Sequence, residues 1–361
     1  MAEELNGRVS VLIPARNEES NVALAVRSVA AQQGVREVIV VDDQSSDRTG
    51  EILDGLKKEI PQLRTLRVES LPQGWMGKAN ALATAAREAS GEWLLFTDAD
   101  TEHLPGGLEA LLARAESEGI DLLSLSPGQK TPSWWEKAVI PLIYARLASR
   151  YPFEEVSDPK SATAAANGQY ILIRRKTYDA AGGHEAVRAE MLEDVELARR
   201  VKSGGGRILF LPGAAWAETR MYRTFREMWA GWTKNLFALY GAKVGNILGA
   251  IADVLVVDLL PPVALIVFMV FLLMGYSEEE VIPTSDAVGA GMCALLAVYG
   301  LWSYRRTLDK LALDRRAAKY LYAGAPMFIV LLVNSTIAHL RGRVHWKGRD
   351  YSTRELKKGA G

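Results

Sequence analysis

Two aspartates that follow a short apolar run are the residues of this chain best suited to chemistry. Trp93 to Phe96 has the pattern of a buried strand in a parallel sheet, and Asp98 and Asp100 follow it. Two carboxylates at such a position are costly unless a cation lies between them. Mg²⁺ or Mn²⁺ prefers oxygen ligands and often shares them with substrate phosphates. An isolated motif of two aspartates is more often a solvated turn. The prediction of a metal site therefore depends on whether other motifs converge at the same place.

Two more predicted strands also end in residues that could contact a ligand. Val9 to Ile13 runs into Pro14–Glu18, and Val38 to Val41 runs into Asp42 and Asp43. Strands alternate with helices at spacings that fit right-handed crossovers, and this predicts an α/β fold with a mostly parallel sheet flanked by helices. Ligands lie beyond the carboxyl ends of strands in such sheets, so all three motifs should share one edge.

A lysine and a pair of acids complete the predicted site. Lys78 begins an alanine-rich helix, where the helix dipole already favours an anion. The chain has no GxGxxG after its first strand and no GxxxxGK[ST], which argues against dinucleotide enzymes and P-loop NTPases. A nucleotide with a metal-bridged diphosphate fits better. Glu193 and Asp194 lie in the first turn of a predicted helix, where acids are common for structural reasons. Beside a diphosphate they offer a general base for an acceptor hydroxyl, with His184 as a second candidate that is more simply structural.

Composition separates a soluble part from an apolar one. The 361 residues carry no net charge, so nothing suggests a nucleic-acid surface, and the single cysteine, Cys293, excludes a disulfide framework. Residues 1–245 resemble a soluble domain that enters its first strand near Val9, with no visible signal sequence. Residues 246–361 hold apolar segments at 254–275, 287–304 and 320–339 and then a basic tail. Each is close to the roughly 20 residues that cross a bilayer, which predicts a membrane region.

The flanking charges predict a multi-pass protein of the cell membrane. Loop 277–286 is acidic and loop 305–319 is basic. Because basic loops face the cytoplasm, loop 305–319 and the catalytic domain are expected on the cytoplasmic side. Three crossings would leave the basic tail outside, so we expect one segment to be re-entrant, with 320–339 as candidate because of its Gly324-Ala-Pro326 break. Asp258 lies inside an apolar segment, and both a functional and a packed structural role stay open.

Two further segments mix aromatic and basic residues and could lie along the membrane surface. They are residues 134–153 and 221–243. An ordinary core helix is the alternative for each. The second segment contains Arg223, Arg226, Trp229 and Trp232.

Taken together, these motifs resemble those of family 2 glycosyltransferases with the GT-A fold over about residues 8–235. The likeness narrows to membrane-bound members that glycosylate carotenoid, hopanoid and ceramide-type lipids. It is carried by the loop from Ile13 to Glu19, Asp42-Asp43, Gly74 to Lys78, Asp98-Ala99-Asp100, Gly182 to Glu185, Glu193-Asp194, and Met221 to Arg223.

The resemblance implies roles for individual residues. Pro14, Ala15, Arg16 and Glu18 would contact the nucleoside, as would the acidic pair Asp42 and Asp43, with Lys78 and Asp98 completing the nucleotide site. Asp100, with Asp98, would bind Mg²⁺ or Mn²⁺. Asp194, beside Glu193, would be the base of an inverting displacement. His184, Arg223, Arg226, Trp229 and Trp232 would lie on the acceptor and diphosphate side. The QxxRW sequence of processive synthases is absent, since these arginines and tryptophans have a different spacing.

We therefore predict an inverting, metal-dependent glycosyltransferase. Its partners would be a nucleotide-sugar donor, most simply a UDP-sugar, the hydroxyl or carboxyl of a membrane lipid, and the bilayer itself, with no nucleic acid. The alternatives are a polyprenyl-phosphate sugar synthase, a processive polysaccharide synthase and a nucleotide-sugar sensor without turnover.

Overall fold

The computed structural model describes residues 7–274 and 284–352, which form two compact units. The first comprises the chain up to Lys130, Ala148–Met228 and the segment from Gly342, and the second comprises Thr131–Leu147 and Trp229–Arg341. The units interleave along the chain, whereas the sequence analysis divided it at residue 245. The basic tail, as far as it is described, belongs to the first unit. The predicted acidic loop 277–286 lies largely outside the described residues.

The first unit is built on a seven-stranded sheet. Its strands lie in the order β3-β2-β1-β4-β8-β6-β9, and only β8 runs antiparallel to its neighbours among the described strands. The strands of the chain are β1 Val9–Ala15, β2 Val35–Asp42, β3 Leu63–Arg67, β4 Trp93–Phe96, β5 Thr101–His103, β6 Leu122–Ser126, β7 Gly128–Gln129, β8 Ile171–Arg174, β9 Ile208–Pro212, β10 Ala217–Thr219, β11 Arg343–Trp346 and β12 Arg349–Ser352. Strands β5, β10 and β7 form a small second sheet, and β11 pairs with β12. The predicted α/β fold with a mostly parallel sheet is confirmed.

Helices cover both faces of the large sheet because its strands are apolar on both sides. Along β1, Val11 and Ile13 belong to one buried cluster and Leu12 to the other. The helices are α1 Val22–Ala30, α2 Thr49–Glu59, α3 Gly77–Glu88, α4 Gly107–Ser117, α5 Trp134–Arg150, α6 Phe153–Ser157, α7 Arg175–Ala180, α8 Glu193–Ser203, α9 Phe225–Leu239, α10 Val244–Asp253, α11 Leu260–Met274, α12 Thr284–Lys310 and α13 Leu321–Leu340.

The second unit contains three helices long and apolar enough to cross a membrane. They span Val244–Phe271, Ala287–Lys310 and Arg315–Leu340, and the first passes through a π-helical stretch at Val254–Leu259. Many of their large apolar side chains are exposed, including Phe271 at 69% and Leu295 at 72%. Apolar surface of this extent suits contact with lipid. The three predicted apolar segments are thus helical in their described residues.

Helix α13 continues through the predicted break at Gly324-Ala-Pro326. Pro326 lies near the start of the helix and removes a single backbone donor there. Gly324 serves close packing instead: a Cβ at this position would lie 2.0 Å from the carbonyl oxygen of Ala138. Helix α5 is buried from Ala138 to Ile143, whereas Trp134 at its start is 58% exposed.

Asp258 has a charged partner inside the second unit. Arg146 of α5 pairs with Asp258, whose side chain is buried, and at 2.5 Å with Asp253. A buried aspartate among apolar helices requires such compensation. The pair provides the packed structural role that the sequence left open.

Candidate active site

The loop after β1 is fastened to the loop after β2. The carbonyl oxygen of Ala15, which follows Pro14 at the end of β1, accepts the Asp43 N–H at 2.8 Å, and Arg16 Nη1 donates to the Asp43 carbonyl oxygen at 2.6 Å. The Glu18 N–H donates to Thr49 Oγ1 at 2.8 Å. These bonds bring the two predicted nucleotide-binding loops together at the carboxyl edge of the sheet.

The two aspartates after β2 have different surroundings. Asp42 accepts the Ser45 N–H at 2.8 Å and so shapes the turn that follows the strand. Asp43 is 4% exposed and its carboxylate forms a bidentate pair with Arg349, at 2.5 and 2.9 Å. Asp43 is therefore the member of the predicted pair that meets a charged partner.

Asp98 and Asp100 lie in a tight turn directly after β4. The strand ends because Thr97 turns inward, donating from Oγ1 to the Gln169 carbonyl oxygen at 2.8 Å, and the Thr101 N–H closes the turn onto the Asp98 carbonyl oxygen at 3.2 Å. Burial, with the negative charges of Asp98 and Glu18, raises the pKa of the Asp100 carboxyl to about 7. This excess of negative charge is what a divalent cation would offset.

The donor set fits Mg²⁺ or Mn²⁺ shared with a substrate. Among residues 7–274 and 284–352, no three His, Cys, Asp or Glu side chains converge into a metal site of their own. Mg²⁺ is commonly held by one or two carboxylates, with phosphate oxygens and water supplying the other ligands. Asp100 and Asp98 are such a partial set.

Lys78 lies at the centre of one half of the site. Its ammonium is 2.8 Å from Asp98 Oδ1 and 3.1 Å from Glu193 Oε1. Burial alone would lower the pKa of Lys78, but the charges of Asp98, Glu193 and Asp194 raise it well above its usual value. Lys78 therefore remains charged and links the motif after β4 to the start of α8.

Asp194 is held by backbone donors. Its Oδ2 accepts the Gly168 N–H at 2.8 Å and its Oδ1 accepts the Val195 N–H at 2.8 Å. Burial and the neighbouring Glu193 charge nevertheless raise the pKa of Asp194 to about 6, against the opposing effect of Lys78. A carboxylate with a pKa this close to neutrality is suited to act as a general base.

Gly168, which the sequence analysis did not identify, allows Lys78 and Asp194 to approach each other. A Cβ on Gly168 would lie 2.6 Å from Lys78 Nζ and 3.4 Å from Asp194 Oδ2. Any side chain would thus displace the ammonium group. No local motif marks this glycine, since its importance depends on two residues distant in the sequence.

His184 has a buried, structural environment. It is 1% exposed, its Nδ1 lies 3.0 Å from the Tyr178 hydroxyl, and its ring packs edge-on against Phe96 with centroids 4.6 Å apart. Burial lowers the pKa of His184 to about 4, so the ring is neutral at pH 7.

The arginines and tryptophans expected on the acceptor side are divided between the units. Arg223 is exposed and donates to Asn21 Oδ1 at 2.7 Å and to the Ser20 carbonyl oxygen at 2.8 Å, so it supports the loop after β1. Arg226 is exposed as well. Trp229 and Trp232 belong to the second unit, where Trp232 is 3% exposed and packs edge-on against Tyr144.

Two cations from the carboxyl-terminal hairpin also enter the site, and the sequence analysis had treated them only as part of a basic tail. Arg349 pairs with Asp43, and Lys347 pairs with Glu18. Lys347 also lies within electrostatic range of Asp100 and favours its ionised form.

Metal-compatible carboxylates, a charged lysine and a base candidate at the carboxyl edge of this α/β sheet are the features of a glycosyltransferase of the GT-A type. Residues 10–181 match the model of the family "Glycosyl transferase family 2". The chain thus contains a domain of that family and the protein is a glycosyltransferase, which confirms the resemblance found in the motifs.

Two similar proteins extend the comparison. The 4,4'-diaponeurosporenoate glycosyltransferase of Staphylococcus aureus strain MRSA252 is 26% identical over 355 residues, covering 95% of this chain and 88% of that protein. The mannosyltransferase PcManGT of Pyrobaculum calidifontis was solved with GDP-Man and Mn²⁺ and is 17% identical to this chain. The alignment covers 93% of this chain and 87% of PcManGT, with a TM-score of 0.53. The second likeness shows the shared fold.

Proposed function

We propose that the protein is an inverting, metal-dependent glycosyltransferase that moves a sugar from a UDP-sugar to the hydroxyl group of a membrane lipid. One observation carries this proposal: Lys78 bridges Asp98, in the turn after β4, to Glu193, next to Asp194. A cation for the leaving group and a base for the acceptor are thereby held within one side-chain network.

The residues divide the reaction between them. Asp194 accepts the proton of the acceptor hydroxyl while the acceptor oxygen forms a bond to the anomeric carbon from the face opposite the diphosphate. The bond between that carbon and the diphosphate oxygen breaks, and its electron pair leaves with UDP. Lys78 stabilises the negative charge that develops there. Direct attack from the opposite face inverts the anomeric configuration.

The base would work only in its ionised form. With the pKa of Asp194 raised to about 6, the carboxylate is mostly ionised at pH 7 and still basic enough to accept a proton in the transition state. Glu193 keeps Lys78 in place through their ion pair.

Asp98 and Asp100 would hold Mg²⁺ or Mn²⁺ together with the donor diphosphate. Bound there, the ion would offset charge on the diphosphate oxygens. Support comes from the surroundings of Asp100, where burial and the negative charges of Asp98 and Glu18 raise its pKa. PcManGT, of the same fold, was solved with Mn²⁺.

The acceptor is a lipid in this proposal because of the second unit and the relative from S. aureus. Three helices could span a membrane, and the relative's name gives 4,4'-diaponeurosporenoate as its substrate. We place the enzyme in the cell membrane as a multi-pass protein with its catalytic unit in the cytoplasm, following the basic loop 305–319.

A carboxylate acceptor is the second candidate, favoured by that same name. A carboxylic acid is already ionised at pH 7 and would need no base. A polyprenyl phosphate is also ionised and would also need no base. Loss of the Asp194 carboxylate should therefore slow transfer to a hydroxyl acceptor but not to either of these two.

The full-length protein in membranes tests the proposal. Membranes supplied with Mn²⁺ or Mg²⁺ and a panel of labelled nucleotide sugars should yield a glycosylated lipid from a UDP-sugar, identified by its mass. EDTA should abolish transfer and either ion should restore it. Asp100→Asn should weaken metal-dependent UDP binding, whereas Asp54→Asn, on the exposed face of α2, should not. Full transfer in EDTA, or UDP binding without turnover on any lipid, would contradict the proposal.

A further inference from the structure

The carboxyl-terminal hairpin presents two cations in a fixed arrangement. Strands β11 and β12 pair antiparallel through Trp346 and Arg349, and Lys347 and Gly348 form the two-residue turn. Both turn residues have positive φ, 45° and 74°, as a tight turn matched to the twist of the strands requires. The turn therefore fixes Lys347 and Arg349 close together at the same end of the hairpin.

Arg349 is built into the nucleoside end of the site. Its two terminal nitrogens bind the two oxygens of Asp43, and Nη2 also donates to Gln44 Oε1 at 3.0 Å. The side chains of Arg349 and Asp43 are only 13% and 5% exposed. A bidentate pair with so little solvent around it is strong and directional, unlike an exposed surface pair.

Lys347 is fastened to the loop after β1. Its ammonium donates to a Glu18 carboxylate oxygen and, at 2.9 Å, to the Arg16 carbonyl oxygen. Arg16 Nε donates in return to the Lys347 carbonyl oxygen at 3.0 Å. Since both partners belong to the motif predicted to contact the nucleotide, the turn is part of that motif's immediate surroundings.

Trp346, directly before the turn, is a further anchor of the hairpin. Its ring meets Tyr222 edge-on, with centroids 6.4 Å apart, and packs against the buried cluster of Met76 and Ala79. Met76 directly precedes α3, the helix that carries Lys78. The hairpin thus contacts the region after β1, the region after β2 and the start of α3.

The negative charge of the site explains why cations from the hairpin would be needed there. Carboxylates line the edge at Glu18, Asp43 and Asp98, and a donor diphosphate would add further negative charge. Lys78 is already engaged with Asp98 and Glu193. The hairpin supplies additional positive charge at Glu18 and Asp43.

We propose, building on the proposed function, that the hairpin turn is a component of the nucleotide-sugar site. Lys347 provides a cation for the donor diphosphate, and Arg349 is a positioning residue that orients Asp43 toward the nucleoside. The catalytic unit is then incomplete without a segment that follows the membrane helices in the chain.

The test is calorimetric titration of the full-length protein with uridine, UMP and UDP in the presence of Mg²⁺. Lys347→Ala should weaken UDP binding by about ten- to a hundredfold, the range expected when a charged hydrogen bond is lost, and leave uridine binding unchanged. Lys347→Arg should recover most of the UDP affinity. Arg349→Ala should weaken all three ligands by a similar factor, because it acts through Asp43 at the nucleoside end.

Arg48→Ala is the charge-matched control, since the Arg48 side chain is 72% exposed and forms its ion pair with Glu51 on the surface of α2. It should bind all three ligands as the wild type does. Lys347→Ala with unchanged UDP affinity would overturn the inference while leaving the proposed function intact. Tighter binding in Arg349→Ala would also overturn it, because the hairpin would then exclude the donor. Failure of the wild type to bind UDP would overturn the proposed donor and this inference with it.

Discussion

The two halves of the candidate site pair their acids with cations from different parts of the fold. On the lysine side, formed by Lys78, Asp98, Glu193 and Asp194, the cation comes from a helix that packs on the sheet. On the hairpin side, formed by Glu18, Asp43, Lys347 and Arg349, the cations come from a two-stranded element outside the seven-stranded sheet.

This difference separates two tasks. The lysine side is positioned by the ends of β4, α3 and α8, which are held by the core of the first unit, so its geometry is fixed before substrate arrives. Such preorganisation suits groups that stabilise charge in a transition state. The hairpin lies outside the seven-stranded sheet, so its side chains can adjust to a bound donor without disturbing the strands. Variants of Asp194 should therefore alter the transfer rate, and variants on the hairpin side the donor affinity.

The largest expected effect is on the lysine side, from Asp194→Asn. The substitution keeps the shape of the side chain and removes the base, so transfer to a hydroxyl acceptor should fall by about 10²–10⁴-fold. UDP affinity should remain unchanged in calorimetry. Glu196→Gln, two residues further along the same first turn, is the matched control. Nearly full turnover in Asp194→Asn would instead favour a phosphate or carboxylate acceptor.

The next effect belongs to the hairpin side, from Asp43→Ala. Uracil offers one ring N–H, and an ionised carboxylate can only accept hydrogen bonds. Loss of this partner should weaken UDP binding by roughly ten- to a hundredfold. At saturating donor, the transfer rate should recover. Unchanged UDP affinity would remove Asp43 from the nucleoside site and would make its pair with Arg349 purely structural.

The same comparison explains what the sequence could predict. Trp93 to Phe96 was expected to be a strand and forms β4, because four consecutive apolar residues suit a strand buried on both faces. The convergence of Pro14–Glu18, Asp42–Asp43 and Asp98–Asp100 followed from the parallel sheet alone. Lys78 and Glu193 also lie at helix starts, which local patterns reveal.

The hairpin side was not predictable in this way. Arg349 is 306 positions from Asp43 in the sequence, and a basic tail after apolar segments predicts only a side of the membrane. Gly168 was missed for a related reason: it is important because the side chains of Lys78 and Asp194 both lie where a side chain on Gly168 would be. Both features depend on packing between distant segments, which no periodicity records.

The pH dependence of transfer sharpens the comparison further. The ionised form of Asp194 is the base and its pKa is raised to about 6, so the rate at saturating donor should fall as the pH drops through 6. At pH 5 about a tenth of the carboxylate remains ionised, which predicts a roughly tenfold loss. Above pH 7 this group should cause no further change. The measurement is the initial transfer rate between pH 5 and 8, and a rate that is flat to pH 5 would contradict the assignment.

The smallest effect on catalysis is expected from His184→Ala, although His184 lies close in sequence to the base. Its ring is neutral, buried and bound to Tyr178, so it supports the packing of the loop against Phe96. Its removal leaves the Tyr178 hydroxyl with one partner fewer and should lower the free energy of unfolding by roughly 1–3 kcal/mol. The melting temperature should fall, while the transfer rate per UDP-binding molecule stays near that of the wild type. A loss of transfer comparable to that of Asp194→Asn, with unchanged melting, would move the base from Asp194 to His184.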